Sequence, residues 1–92
     1  MKQLHDKVAV ITGAASGLGK AFAEHAAGQG MKLVLADIQE QALHTTVAQL
    51  RAGGAEVIGL RTDVSKAEQV QALADAALAE FGGVHLLFNN AG

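Results

Sequence analysis

The stretch Thr12-Gly13-Ala14-Ala15-Ser16-Gly17-Leu18-Gly19 has the residue types and spacing to hold a phosphate. It follows an apolar run, Val8-Ala9-Val10-Ile11, and opens an amphipathic run that starts at Leu18. A strand, a glycine-rich turn and a helix in that order make an anion site. Gly13 permits a tight turn, Gly17 lets the main chain approach a pyrophosphate, and Gly19 lets the new helix pack on the sheet. Free N–H groups at the helix start face the anion, with roughly half a unit of positive charge from the helix dipole. Three glycines also occur in ligand-free turns, but the strand–loop–helix order in a βαβ pattern argues for a ligand. Ser16 either reaches a phosphate or ribose oxygen or only satisfies the turn.

Three further polar groups follow apolar runs. Asp37 lies about 24 residues after Gly13, near the spacing of an acid that accepts both hydroxyls of an adenosine ribose. A 2′-phosphate there meets a like charge at a cost on the order of 1–4 kcal/mol. That favours NAD over NADP by roughly ten- to a thousandfold. No basic residue stands at Ser16 or Ile38 to offset it, and the nearest cation, Lys20, sits inside the helix. Asp37 can also cap the following helix, and the two roles are compatible. Asp63-Val64 can hold an adenine amino group and cover its ring, or form an Asx turn into Ser65. Asn89 and Asn90 can tie strands together or bond a ribose, and spacing does not separate these roles.

Positioning these groups requires alternating strands and helices. Apolar runs at 7–12, 32–36, 56–61 and 84–88 read as strands. Amphipathic stretches at about 17–29, 39–52 and 66–81 read as helices ended by glycines. The expected inward faces are Leu18, Ala21, Phe22, His25 and Ala26 on the first helix and Leu43, Val47 and Leu50 on the second. On the third they are Val70, Leu73, Ala74, Ala77, Leu78 and Phe81. Ser65 through Glu68 has capping-box spacing, and Asp37 through Glu40 has it more loosely. The pattern predicts an α/β fold: a doubly wound, Rossmann-type parallel sheet with strand order 3-2-1-4, three helices and right-handed crossovers. Its ligand is expected beyond the carboxyl ends of the strands. The exposed edge of the fourth strand, with Val84, Leu86, Leu87 and Phe88, is expected to promote self-association.

Composition narrows the function further. The chain has 92 residues, half of them hydrophobic, a net charge of −2, no cysteine, and three phenylalanines as its only aromatic residues. Interspersed charges give no polyanion-binding surface, so nucleic acid is not an expected partner. No apolar run approaches the ~20 residues that span a bilayer, so no membrane partner is expected and a cytoplasmic location is. Absent cysteine excludes disulfides, thiol catalysis and cysteine zinc sites. The histidines at 5, 25, 44 and 85 lack metal-ligand spacing.

Taken together, these motifs resemble the short-chain dehydrogenase/reductase family. Thr12–Gly19 is similar to its Thr-Gly-x-x-x-Gly-x-Gly motif, Asp63-Val64 to its adenine-binding pair, and Asn89-Asn90-Ala91-Gly92 to its Asn-Asn-Ala-Gly motif. The resemblance implies that Gly13, Ser16, Gly17, Leu18 and Gly19 line a dinucleotide. It places Asp37 on the adenine ribose, Asp63 and Val64 on the adenine, and Asn90 near the nicotinamide-side ribose, with Asn89 supporting the sheet. It implies an NAD-dependent oxidoreductase acting on an alcohol or ketone, often as a homo-oligomer. The family's Tyr-x-x-x-Lys, preceding Ser and helical Asn have no counterpart in a sequence without tyrosine. Residues 1–92 are thus expected to be the cofactor-binding half of a longer, truncated Rossmann domain, inactive alone because hydride transfer needs a proton-transfer group. The alternative is a dinucleotide-binding or structural fragment with no catalytic role. A nucleotide-sugar epimerase is disfavoured, because Gly13, Gly17 and Gly19 do not follow a Gly-x-x-Gly-x-x-Gly spacing.

Overall fold

In the computed structural model, residues 4–90 are described. Four strands, β1 (Val8–Thr12), β2 (Lys32–Asp37), β3 (Val57–Arg61) and β4 (Leu86–Asn89), alternate with three helices, α1 (Gly17–Gly28), α2 (Glu40–Ala52) and α3 (Ala67–Phe81). The strands form one parallel sheet in the order β3-β2-β1-β4, which is the expected doubly wound topology. β1 is central and buried along its whole length. A strand covered by helices on both faces must be apolar throughout, and Val8-Ala9-Val10-Ile11 meets that demand.

Side chains alternate across the sheet and so divide the core in two. Ala9, Ile11, Leu33 and Leu35 pack with Ala23 and Ala26 of α1 and with Leu43 and Val47 of α2. Val8, Val10, Val34 and Ala36 face the other way, onto Leu73 and Ala77 of α3. Burying each large aliphatic side chain contributes about 1.5–3 kcal/mol. Gly59 has a separate packing role, because a Cβ there would press on Val47 of α2. Among the described residues no helix is long and apolar enough to cross a membrane.

Several local expectations need correction. The inner face of α1 is Gly19, Ala23 and Ala26, with Phe22 half-buried, while Ala21 and His25 are exposed and Leu18 is 66% exposed. The helix is rotated because its first turn sits hard against the glycine loop, which brings Gly19 inward. On α3, Val70 and Leu78 are exposed, and Leu73 and Ala77 carry the packing. Neither capping box forms: the N-caps of α2 and α3 are Gln39 and Lys66, without side-chain cap bonds. The Ser65 hydroxyl instead donates to Asp63 Oδ1 at 2.6 Å. β4 starts at Leu86 rather than Val84. His85 precedes it as a clasp, its amide donating to the Val8 carbonyl and its Nδ1 accepting the Val8 N–H at 3.0 Å. Ala91 and Gly92 of the terminal motif lie outside the described residues.

Candidate functional site

The carboxyl ends of β1, β2, β3 and β4 bring the sequence-predicted groups to one rim. After β1 the chain turns through Gly13 at φ 62° and opens α1 through Gly17 at φ 57°, both in the left-handed region that favours glycine. A Cβ on Gly17 would meet nothing within 4 Å, so its need for glycine is conformational and the space outside it is open. Gly19 differs. Its φ is not left-handed, but a Cβ there would collide with the Gly13 carbonyl and with Asn90 Nδ2. Its role is therefore to let the helix start press on the loop, more specific than the packing on the sheet that its spacing suggests.

Ser16 is the N-cap of α1, extended and exposed, with its side chain making no cap bond. Its carbonyl accepts the Lys20 N–H at 3.3 Å. By helix geometry the amides ahead of Lys20 point past the helix start. The first turn of α1 carries no acidic residue, whereas those of α2 and α3 carry Glu40 and Glu68. Of the three helix starts, α1 thus offers an anion the least repulsion.

Asp37 ends β2 beside this loop. Its Oδ2 accepts the Ala15 N–H at 3.0 Å and its Oδ1 the Gln39 N–H at 2.9 Å. The sequence suggests a cap for α2; the structure shows an Asx contact to Gln39 and, beyond that, a bond to the glycine loop. A carboxylate has about four lone-pair directions, so each oxygen retains one for a further donor.

After β3, the amide and hydroxyl of Ser65 both donate to Asp63 Oδ1, at 3.0 and 2.6 Å. The Asx turn considered from the sequence is present. The Ser65 hydroxyl, then its amide, hold the Asp63 carboxyl below its ordinary pKa; burial opposes this, and Lys66 and then Arg61 add lesser lowering effects. Asp63 N–H donates to Gln69 Oε1 at 2.7 Å, fixing the loop onto α3. Val64 is 38% exposed and Ile38, across the depression, 50%. Between them lies a hollow of about 230 Å³, floored by Gly13, Ala36 and Thr62 and edged by Asp37 and Asp63. Ile38, Ala36 and Thr62 are lining residues that the sequence did not single out. Their signal was adjacency to Asp37 and Asp63 at two strand ends.

After β4, the Thr12 hydroxyl donates to Asn89 Oδ1 at 2.8 Å and accepts the Asn90 N–H at 3.1 Å. Asn90 Nδ2 reaches the Gly13 carbonyl at 3.4 Å. Both asparagines therefore tie the end of β4 to the glycine loop.

The short chain dehydrogenase family model matches residues 7–92. The chain belongs to this family. It is 47% identical, over its whole length, to a CLA biosynthesis dehydrogenase/reductase of Lactiplantibacillus plantarum, covering 32% of that protein. Among solved structures, it is similar to a short chain dehydrogenase/reductase from Burkholderia phymatum in complex with NAD. That match has 69% identity and a TM-score of 0.92, covering 95% of this chain and 31% of the other. L-sorbose reductase from Gluconobacter frateurii, complexed with NADPH and L-sorbose, is 40% identical with a TM-score of 0.92, covering 96% of this chain and 34% of that one. The chain thus spans about a third of the length of these relatives. The glycine loop, Asp63-Val64 and the paired asparagines thus lie at the carboxyl ends of neighbouring strands of this one sheet.

Proposed function

We propose that these residues form the cofactor-holding part of an NAD-dependent oxidoreductase acting on an alcohol or carbonyl compound. The carrying observation is the Asp37 carboxylate, one hydrogen bond from the glycine loop and with one acceptor direction left on each oxygen. Two adjacent acceptors suit the vicinal hydroxyls of a ribose, and a 2′-phosphate would bring like charge against them. Gly13, Gly17 and Gly19 shape the pyrophosphate seat, and the amides from Ser16 to Leu18 face it. Val64 and Ile38 flank the adenine, Asp63 accepts from its amino group, and Asn90 borders the nicotinamide-side ribose. The hollow of about 230 Å³ is smaller than the roughly 300–1,000 Å³ of a whole ligand pocket, which fits one end of a dinucleotide.

When bound, the nicotinamide carries the hydride. The chain's own residues orient the cofactor, and with no tyrosine among them the family's proton-transfer group is not theirs. Residues 1–92 are accordingly a cofactor-binding unit of a larger catalytic domain: binding without turnover is expected of them alone. A homo-oligomer is part of the proposal through the family resemblance. The test is a fluorescence titration of the chain with NADH and NADPH. NADH binds more tightly by roughly ten- to a thousandfold, and Asp37→Ala narrows that ratio. Equal affinities in the unaltered chain would remove Asp37 as the selector, and no binding of either would remove the cofactor assignment.

A further inference from the structure

Resting on the cofactor assignment above, we propose that Asp37 is also a positioning residue for the glycine loop: the side chain that refuses a 2′-phosphate holds the phosphate seat in shape. The loop between β1 and α1 is anchored twice onto β2. The Ala14 N–H donates to the Ala36 carbonyl at 3.1 Å, a main-chain tie that any sequence can make. The Ala15 N–H donates to Asp37 Oδ2 at 3.0 Å, a tie that depends on one side chain. Beyond Ala15 come the exposed Ser16 and Gly17. Gly17, having no side chain, does not hold itself in place. Among the described residues, Asp37 thus supplies the last side-chain tie before the loop's tip.

Asp37 is itself held at three points, two on its carboxylate and one on its main chain. Its other oxygen takes the Gln39 N–H at the start of α2. The Asp37 carbonyl accepts the Thr62 N–H at 3.1 Å, fixing the end of β2 to the residue after β3. A carboxylate gripped in this way is a rigid strut, and hydrogen bonds to a charged acceptor are the stronger kind. Because each oxygen keeps a free direction, a ribose diol can bind without displacing Ala15 or Gln39. Removing the carboxylate to admit a 2′-phosphate deletes the repulsion and the strut together. NAD affinity then falls more than the loss of two ribose bonds accounts for, and NADP affinity rises less than charge removal alone implies.

The test is amide hydrogen exchange by NMR on the ligand-free chain, in the wild type, Asp37→Ala and Asp37→Asn. The Ile11 amide, inside the sheet, serves as internal reference. Relative to Ile11, the Ala15 amide exchanges about 10- to 100-fold faster in Asp37→Ala, the factor expected for losing a hydrogen bond to a charged group. Asp37→Asn, which keeps one carbonyl acceptor but turns an NH2 toward the other amide, gives a smaller increase. If Asp37→Ala does not fold, the Asn variant decides alone. Unchanged Ala15 protection, with faster exchange confined to Gln39 and α2, would overturn the inference and reduce Asp37 to a helix-start contact. No cofactor enters this measurement, so failure of NADH to bind would overturn the assignment above and leave the strut standing.

Discussion

The two ends of the sheet are both concave and both rich in glycine, yet they are built for different purposes. At the amino end of the strands, a cavity of about 540 Å³ opens between the ends of α1 and α2, with His5, Asp6, Gly30 and Gly54 among its walls. At the carboxyl end the hollow is about 230 Å³. The larger cavity has glycines that end helices: Gly30 at φ 79° and Gly54 at φ 97° reverse the chain after α1 and α2. Its helix ends present carbonyl groups, which repel an anion. The smaller hollow adjoins a helix start free of acidic residues, a carboxylate with open acceptor directions, and Gly19 pressed on Gly13. Size therefore does not locate the site; the direction of the backbone groups does.

Substitutions at one glycine from each end test that contrast most strongly. Gly19→Ala drives a Cβ into the Gly13 carbonyl and against Asn90, and the Gly13 main chain cannot swing aside as a surface side chain does. We expect destabilisation of about 1–3 kcal/mol in urea denaturation and loss of detectable NADH binding. Gly30→Ala is strained by its positive φ and meets the His5 ring, an exposed side chain that can rotate away. It should cost about 1–2 kcal/mol and leave NADH affinity unchanged. Equal loss of binding in both variants would erase the distinction between the ends.

A smaller effect concerns acid. The Asp63 carboxyl is held below its ordinary pKa chiefly by the Ser65 hydroxyl and amide. A folded-state pKa below the unfolded value contributes stability that is fully present above the unfolded value, about 3.9 for aspartate. It is lost as pH falls through the lowered folded value. Urea midpoints measured from pH 6 down to pH 3 should therefore fall less steeply in Asp63→Asn than in the unaltered chain. Parallel curves would mean that the Asx turn at Asp63 contributes nothing pH-dependent.

Much of this was legible in the sequence, and the misses have physical causes. Strand order followed from apolar runs separated by glycine-ended helices, because parallel neighbours with right-handed crossovers leave few arrangements. The glycine loop and Asp37 were legible through spacing. The face of α1 was not, because an alanine-rich helix has little amphipathic contrast. Its rotation is set by the contact of Gly19 with Gly13, a tertiary approach that no periodicity encodes. The capping boxes failed because Asp63 claimed the Ser65 hydroxyl and Asp37 turned to Ala15 and Gln39. That Asp37 reaches Ala15 depends on β1 and β2 lying side by side, so residue types alone could not show it.

The most direct test of the central claim is to map NAD onto the amide spectrum of the unaltered chain. Binding at the carboxyl end shifts the amides of Gly13 through Lys20, together with Asp37, Ile38 and Val64, and leaves Gly30, Gly54 and Glu56 in place. Shifts gathered instead at Gly30, Gly54 and Glu56 would contradict it.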